Sequence, residues 1–120
     1  MAKKTLVIGA STDPSRYAYL AANRLVNHKH EIELLGIKEG LVAGKEITTQ
    51  KEKFKDIDTV TLYVNPQRQS EYFDYVADLK PRRVIFNPGT ENPVFEDFLT
   101  EKGIEPIEAC TLVMLATGQY

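Results

Sequence analysis

Short apolar runs alternate along the chain with stretches in which apolar side chains recur every third or fourth residue. Five runs read as strands: Thr5 to Gly9, Ile32 to Ile37, Thr59 to Val64, Arg83 to Phe86 and a weaker Ile104 to Glu108. Runs this short and this continuous fit strands covered on both faces. After the first run, Ala18, Ala21, Ala22, Leu25 and Val26 form one apolar stripe at helical spacing. Tyr72, Tyr75, Val76 and Leu79 repeat the spacing behind Asn65-Pro66, which reads as an N-cap followed by a first-turn proline. Asn92-Pro93 opens a third helix carrying Phe95, Phe98 and Leu99, and Gly103 is placed to end it. Between the second and third strands, Thr49 to Phe54 supports only a short, poorly apolar helix. Thr111 to Ala116 reads as a final turn of helix or strand that closes the core.

Strands joined by helices imply parallel pairing with helices on both faces. The expected fold is therefore α/β: a doubly wound, parallel, five-stranded sheet in a three-layer α/β/α arrangement. A chain of 120 residues without repeats or low-complexity linkers suits one domain, 1–120. In such sheets ligands bind at the carboxyl ends of the strands, where the strand order reverses. Four loops become candidates: Gly9 to Arg16, Gly36 to Gly40, Val64 to Gln69 and Asn87 to Asn92.

In the first loop, "VIGASTDPSRY", Gly9 permits a tight turn, and the small Ala10 and Ser11 let a ligand approach main-chain N–H groups at a helix start. An anion is the natural guest. Ser11 and Pro14 stand where the dinucleotide fingerprint needs its other glycines, which argues against a close-packed NAD pyrophosphate. Ser11 lies outside a nucleophile-elbow pattern and has no histidine placed to activate it, so a hydrogen bond to phosphate is its expected role. Arg16 reads either as a phosphate partner or as a solvated first-turn side chain, and Asp13 as a helix cap. The second strand ends in Gly36-Ile37-Lys38, where an NAD site usually places a carboxylate for the ribose hydroxyls. A cation there suits a phosphorylated ribose, although exposed lysines are common.

The third and fourth loops carry the most distinctive text, "TLYVNPQRQS" and "VIFNPGTENP". With "VIGASTDPSRYAY" and the closing "EACTLVMLATGQY", they resemble the small CoA-binding proteins of Rossmann-like fold, relatives of the CoA-binding domain in the succinyl-CoA synthetase alpha subunit. The resemblance covers nearly the whole chain. It implies that CoA or an acyl-CoA lies across the strand ends, touching Gly9, Ala10, Ser11 and Arg16 and the residues around Lys38. It implies further contacts at Tyr63, Val64, Asn65 and Pro66 with Gln69, and at Asn87, Pro88, Gly89, Thr90 and Glu91. Lys38 is then expected to read the 3′-phosphate of CoA, and a valine at Gly9 to abolish binding while sparing the fold. The synthetases need a phosphorylatable histidine on a further domain and a nucleotide-grasping partner subunit, so the resemblance implies ligand binding without catalysis. Two alternatives stand beside it: an enzyme with an NAD(P)-type cofactor, and a regulatory interaction module that senses acyl-CoA. No protein partner and no acyl group can be read from the sequence.

Charge and cysteine usage narrow the remaining classes. Fifteen basic and 17 acidic residues give a formal charge of −2, spread along the chain, so neither nucleic acid nor an anionic membrane is indicated. No run is long enough for a membrane span or a signal-peptide core, and the single cysteine, Cys110, excludes an internal disulfide; a reducing cytoplasm fits. Cys110 follows the fifth strand and reads as a small buried hydrophobe. His28 and His30 have HxH spacing but no third ligand, and are expected on the surface at the edge of the sheet away from the site. Lys80, Arg82 and Arg83 read as a solvated loop and not an RNA patch.

Overall fold

The computed structural model describes residues 2–120. Its core is a run of parallel strands: β1 (Thr5–Ile8), β2 (Ile32–Leu35), β5 (Thr59–Leu62), β6 (Arg83–Phe86) and β7 (Glu105–Glu108). β1, β5 and β6 are buried along their whole length, which is why their text is continuously apolar or β-branched. β7, the weakest expected strand, is a half-exposed edge. Ile8 lies level with Leu35 of β2 on one side and with Leu62 of β5 on the other. The loops that follow these strands therefore emerge side by side.

The sheet has seven strands, not five. β3 (Gly40–Val42) and β4 (Lys45–Thr48) form an antiparallel hairpin, and β4 then pairs parallel with β2 to give the order β3-β4-β2-β1-β5-β6-β7. Ala43 and Gly44 both adopt positive φ, 53° and 80°, the backbone of the tight turn that matches the twist of a hairpin. The helix expected over Thr49 to Phe54 does not form. Only Phe54 in this stretch packs against the core, so there is no stripe for a helix to bury. The segment is held as an irregular strap instead: Lys51 Nζ donates to Glu71 O at 2.6 Å, and Tyr75 Oη to Glu52 O at 2.6 Å.

Helices cover both faces. α1 (Tyr17–Asn27) and α4 (Thr111–Ala116) lie against Val7, Leu34 and Ile85. On the other face, α2 (Phe73–Leu79) and α3 (Pro93–Glu101) pack on Leu6, Ile8, Val60 and Phe86. Burying each such side chain fully contributes about 1.5–3 kcal/mol, and these two clusters fix the sheet against its cover. α1 buries Ala18, Ala21, Ala22 and Leu25, but Val26, the last position of the expected stripe, is 37% exposed in the final turn. Asn65 accepts from Arg68 N at 3.2 Å, as its capping role requires, yet the turn it starts is a 3₁₀ segment, Pro66–Tyr72, ahead of α2.

Three other side chains differ from expectation. Arg83 is buried within β6, not solvated: its Nε donates to Thr59 Oγ1 at 2.9 Å, an Nη donates to Tyr120 O at 2.8 Å, and its guanidinium stacks on the Tyr120 ring. Cys110 is half-buried at the start of α4. His30 is half-buried rather than on the surface; its Nδ1 accepts from Lys3 N at 2.9 Å and its ring packs on Tyr120, while His28 is exposed.

Candidate functional site

From β1 the chain steps outward in one direction to β2 and β4, and in the other to β5, β6 and β7. The strand order therefore reverses between β1 and β5, and a cavity of about 390 Å³ opens there. Gly9, Ala10 and Ser11 form one wall after β1, and Tyr63, Val64 and Asn65 form the facing wall after β5. Gly36, Ile37 and Lys38 close it beyond β2. A second cleft of about 270 Å³ shares Gly9, Ser11, Arg16, Tyr63 and Asn65 with the first, and runs on to Tyr17, Pro88, Gly89 and Thr90.

Gly9 is required by the fold as much as by any ligand. Its φ is 95°, and a Cβ there would lie 2.8 Å from Tyr63 O and 2.9 Å from Tyr63 C. The expectation that valine at this position spares the fold is therefore corrected: the close approach that needs glycine is between β1 and β5. The N–H groups of Gly9 and Ala10 are also committed, both to Leu35 O at 2.9 and 3.0 Å. What the loop offers an anion lies further on. α1 begins without a side-chain cap and without an acidic residue in its first turn, so its positive end is open.

Asp13 does not cap that helix. It closes the turn before it, accepting from Ser15 N at 2.9 Å and Ser15 Oγ at 2.7 Å, and its carboxylate stands 3.8 Å from Arg16 Nε. The two Ser15 donors hold the Asp13 pKa below the usual carboxylate range. Arg16 is thus positioned by its neighbour at the junction of the two clefts. Two residues not singled out as contacts join it: Arg68, on the 3₁₀ turn, and Tyr72 both line the first cavity. Arg68 lies within the candidate loop Val64 to Gln69, and the 3₁₀ path of Pro66–Tyr72 brings it to the opening.

Gln69 and Asn87 reach the site through other residues. The Gln69 side chain is fully buried and donates to Val64 O at 2.8 Å and Thr90 O at 2.7 Å, while accepting from Asn92 Nδ2 at 3.1 Å. One amide thus fixes the loop after β5 to the loop after β6. Asn87 donates to Thr61 Oγ1 and Leu62 O and accepts from Thr111 N at 2.8 Å. Between the clefts, Tyr63 buries a hydroxyl that has no partner among the described residues, and burial pushes its pKa up to about 12. Pro66 stays at the base of the 3₁₀ turn. Among the described residues, no cluster of three or more His, Cys, Asp or Glu side chains is placed to hold a metal ion.

A family model for the CoA binding domain matches residues 3–116, almost the entire chain. The chain belongs to the CoA-binding domain family. No curated protein matches it. Among solved structures, this CoA-binding domain is similar to an uncharacterized protein at 52% identity and a TM-score of 0.98, covering 100% of this chain and 99% of the other. It is also similar in fold to cell-free ID.343 from Thermus thermophilus, at 24% identity and a TM-score of 0.87, covering 99% and 91% of the two chains. A hypothetical protein from Pyrococcus horikoshii OT3 shares the fold at 24% identity and a TM-score of 0.88, covering 97% and 83%. The hairpin β3–β4 is the element that the expected five-strand version of this domain lacked. No described helix of the domain is long and apolar enough to cross a membrane.

Proposed function

We propose that the chain binds coenzyme A, free or as an acyl thioester, in the joined clefts at the β1–β5 switch point. The observation that carries this reading is the set of cations around the first cavity: Arg16, Lys38 and Arg68 come from the segments that follow three different strands, β1, β2 and β5, and all line one opening. Coenzyme A carries three phosphates at one end of a long uncharged arm, and this charge distribution fits that of the clefts. In this reading the pyrophosphate meets Arg16 and the open first turn of α1 at the junction. Lys38, beyond β2, and Arg68 then flank the adenosine end, with Lys38 on the 3′-phosphate, and the pantetheine arm follows the second cleft toward Gly89 and Thr90.

Two observations favour binding over catalysis. Asp13 is held ionised by Ser15, and Tyr63 is held neutral by burial. Neither is poised to exchange a proton near neutral pH, as a general acid or base should be. Lys38 in place of a second-strand carboxylate likewise favours CoA over an NAD-type cofactor. Calorimetric titration of CoA into wild type, Lys38→Ala and Arg68→Ala tests the reading. Each variant is expected to lose several-fold to about tenfold in affinity, the size of one partly exposed charge-assisted contact. A wild type that takes up no CoA, or two variants that bind as it does, contradicts the assignment.

A further inference from the structure

The two clefts share their polar side chains and differ in what each adds. Ser11, Arg16 and Asn65 line both, so they stand at the junction. The second cleft alone is lined by Tyr17, Ala18, Pro88, Gly89 and Thr90. Thr90 is buried, and its Oγ1 donates to Asn87 O at 2.7 Å. Gly89 N donates to Glu91 Oε1 at 2.9 Å. The other side chains added here are a phenol ring, a methyl group and the proline ring.

Apolar surface continues past the rim. Tyr17 is the first residue of α1 and is 69% exposed. α4 packs beside α1 on the same face of the sheet. Its start is fixed at the ligand end, where Thr111 N donates to Asn87 Oδ1 just beyond β6. In that first turn Val113 is 56% exposed. Two large apolar side chains thus stand uncovered at the starts of neighbouring helices, and one of them lines the second cleft. Exposed apolar surface continuous with a cleft marks a place where a ligand can bury its own apolar part.

We propose that the acyl group of a thioester leaves the second cleft over Tyr17 and Val113, so that the protein prefers longer fatty acyl chains to acetyl. This rests on the CoA reading above, which lays the pantetheine arm in that cleft. A volume of about 270 Å³ lies at the lower edge of pockets that enclose drug-sized ligands, so the arm fills it and the acyl group emerges at the rim. An acetyl group ends there. A longer chain reaches the Tyr17 ring and the Val113 methyl groups, and mutual covering of these apolar surfaces favours binding. Ser11, Arg16 and Asn65 lie at the junction, on the phosphate side of the arm, and take no part in this preference.

The test is calorimetric titration of CoA, acetyl-CoA and octanoyl-CoA, each below its micelle concentration, into the full chain and into Tyr17→Ser, Val113→Ser and Val94→Ser. Acetyl-CoA is expected to bind within about twofold of CoA, and octanoyl-CoA about tenfold tighter than acetyl-CoA. Burial of about two methylenes supplies a factor of that size, so only part of the chain need be covered. Tyr17→Ser and Val113→Ser are each expected to cut the octanoyl gain to about threefold or less. Val94 is 70% exposed in the first turn of α3, on the opposite face of the sheet, and Val94→Ser is expected to leave the gain unchanged. Octanoyl-CoA binding no tighter than acetyl-CoA overturns the preference while leaving the CoA reading intact. So does a gain that survives both Tyr17→Ser and Val113→Ser, or one that falls as much in Val94→Ser. Failure of all three ligands to bind the unaltered chain overturns both readings.

Discussion

Gly9 and Asp13 stand four residues apart and make opposite demands on the first loop. At Gly9 any side chain meets both the strain of φ 95° and the backbone of Tyr63. Gly9→Val is therefore expected to cost about 3 kcal/mol or more in denaturant unfolding, because left-handed strain and steric overlap add. Unchanged stability would mean that the β1–β5 approach is wrongly drawn. Asp13 places a carboxylate in a cavity assigned to phosphates, where it orients Arg16 but repels the ligand. Asp13→Asn keeps an oxygen to accept from Ser15 and removes the repulsion, so CoA affinity should rise about twofold to fivefold, most clearly at low salt. A drop in affinity would show that holding Arg16 matters more. Lys38→Ala should weaken CoA but hardly alter dephospho-CoA if, as proposed, the charge it removes meets the 3′-phosphate. Of these side chains, Gly9, Arg16 and Lys38 were legible as candidates because loop position and residue type suffice to single them out. Arg68 stands in a candidate loop, but its place over the opening depends on how tightly the turn after Asn65 winds.

Elements recovered from periodicity were those with a face to bury. α1, α3 and the fully covered strands announce themselves because each apolar position has a partner in the core. The β3–β4 hairpin does not, since three-residue and four-residue strands at an edge bury only Val42 and Ile47. Its clearest local signal is Ala43-Gly44 between an apolar run and an alternating one, a weaker hairpin mark than Asn-Gly. The strap over Thr49 to Phe54 differs from the expected helix for the complementary reason: lysine and glutamate favour a helix, but with one apolar side chain against the core it is held by hydrogen bonds to α2 and the turn before it. Between the elements, Gln69 ties two site loops together with one side chain. Gln69→Ala should cost about 2–4 kcal/mol, because two buried carbonyls lose their donor and a cavity opens. Thermal unfolding measures it. Loss of CoA binding without loss of stability would place Gln69 on the ligand instead.

The molecule as a whole brings its charge to the site through topology, not through composition. With a formal charge of only −2, it has no global field to draw in a polyanion, yet the order β2-β1-β5 gathers Arg16, Lys38 and Arg68 around one opening. Away from the site, His30 gives stability a pH dependence. Burial, aided by Lys3, holds its pKa below the ordinary imidazole value of 6.5, and its Nδ1 must stay unprotonated to accept from Lys3 N. The unfolded chain therefore binds the proton more readily, so this contribution is full above pH 6.5 and is lost as pH falls through the lowered folded value. His30→Gln, which keeps an acceptor, should flatten that part of the profile; an unchanged slope would assign it to other groups. The most direct measurement of the central claim is calorimetric titration of one preparation with CoA and NAD side by side at fixed salt. Binding of CoA at least about tenfold tighter than NAD is the predicted result, and equal affinity for the two, or no heat from CoA, contradicts the account.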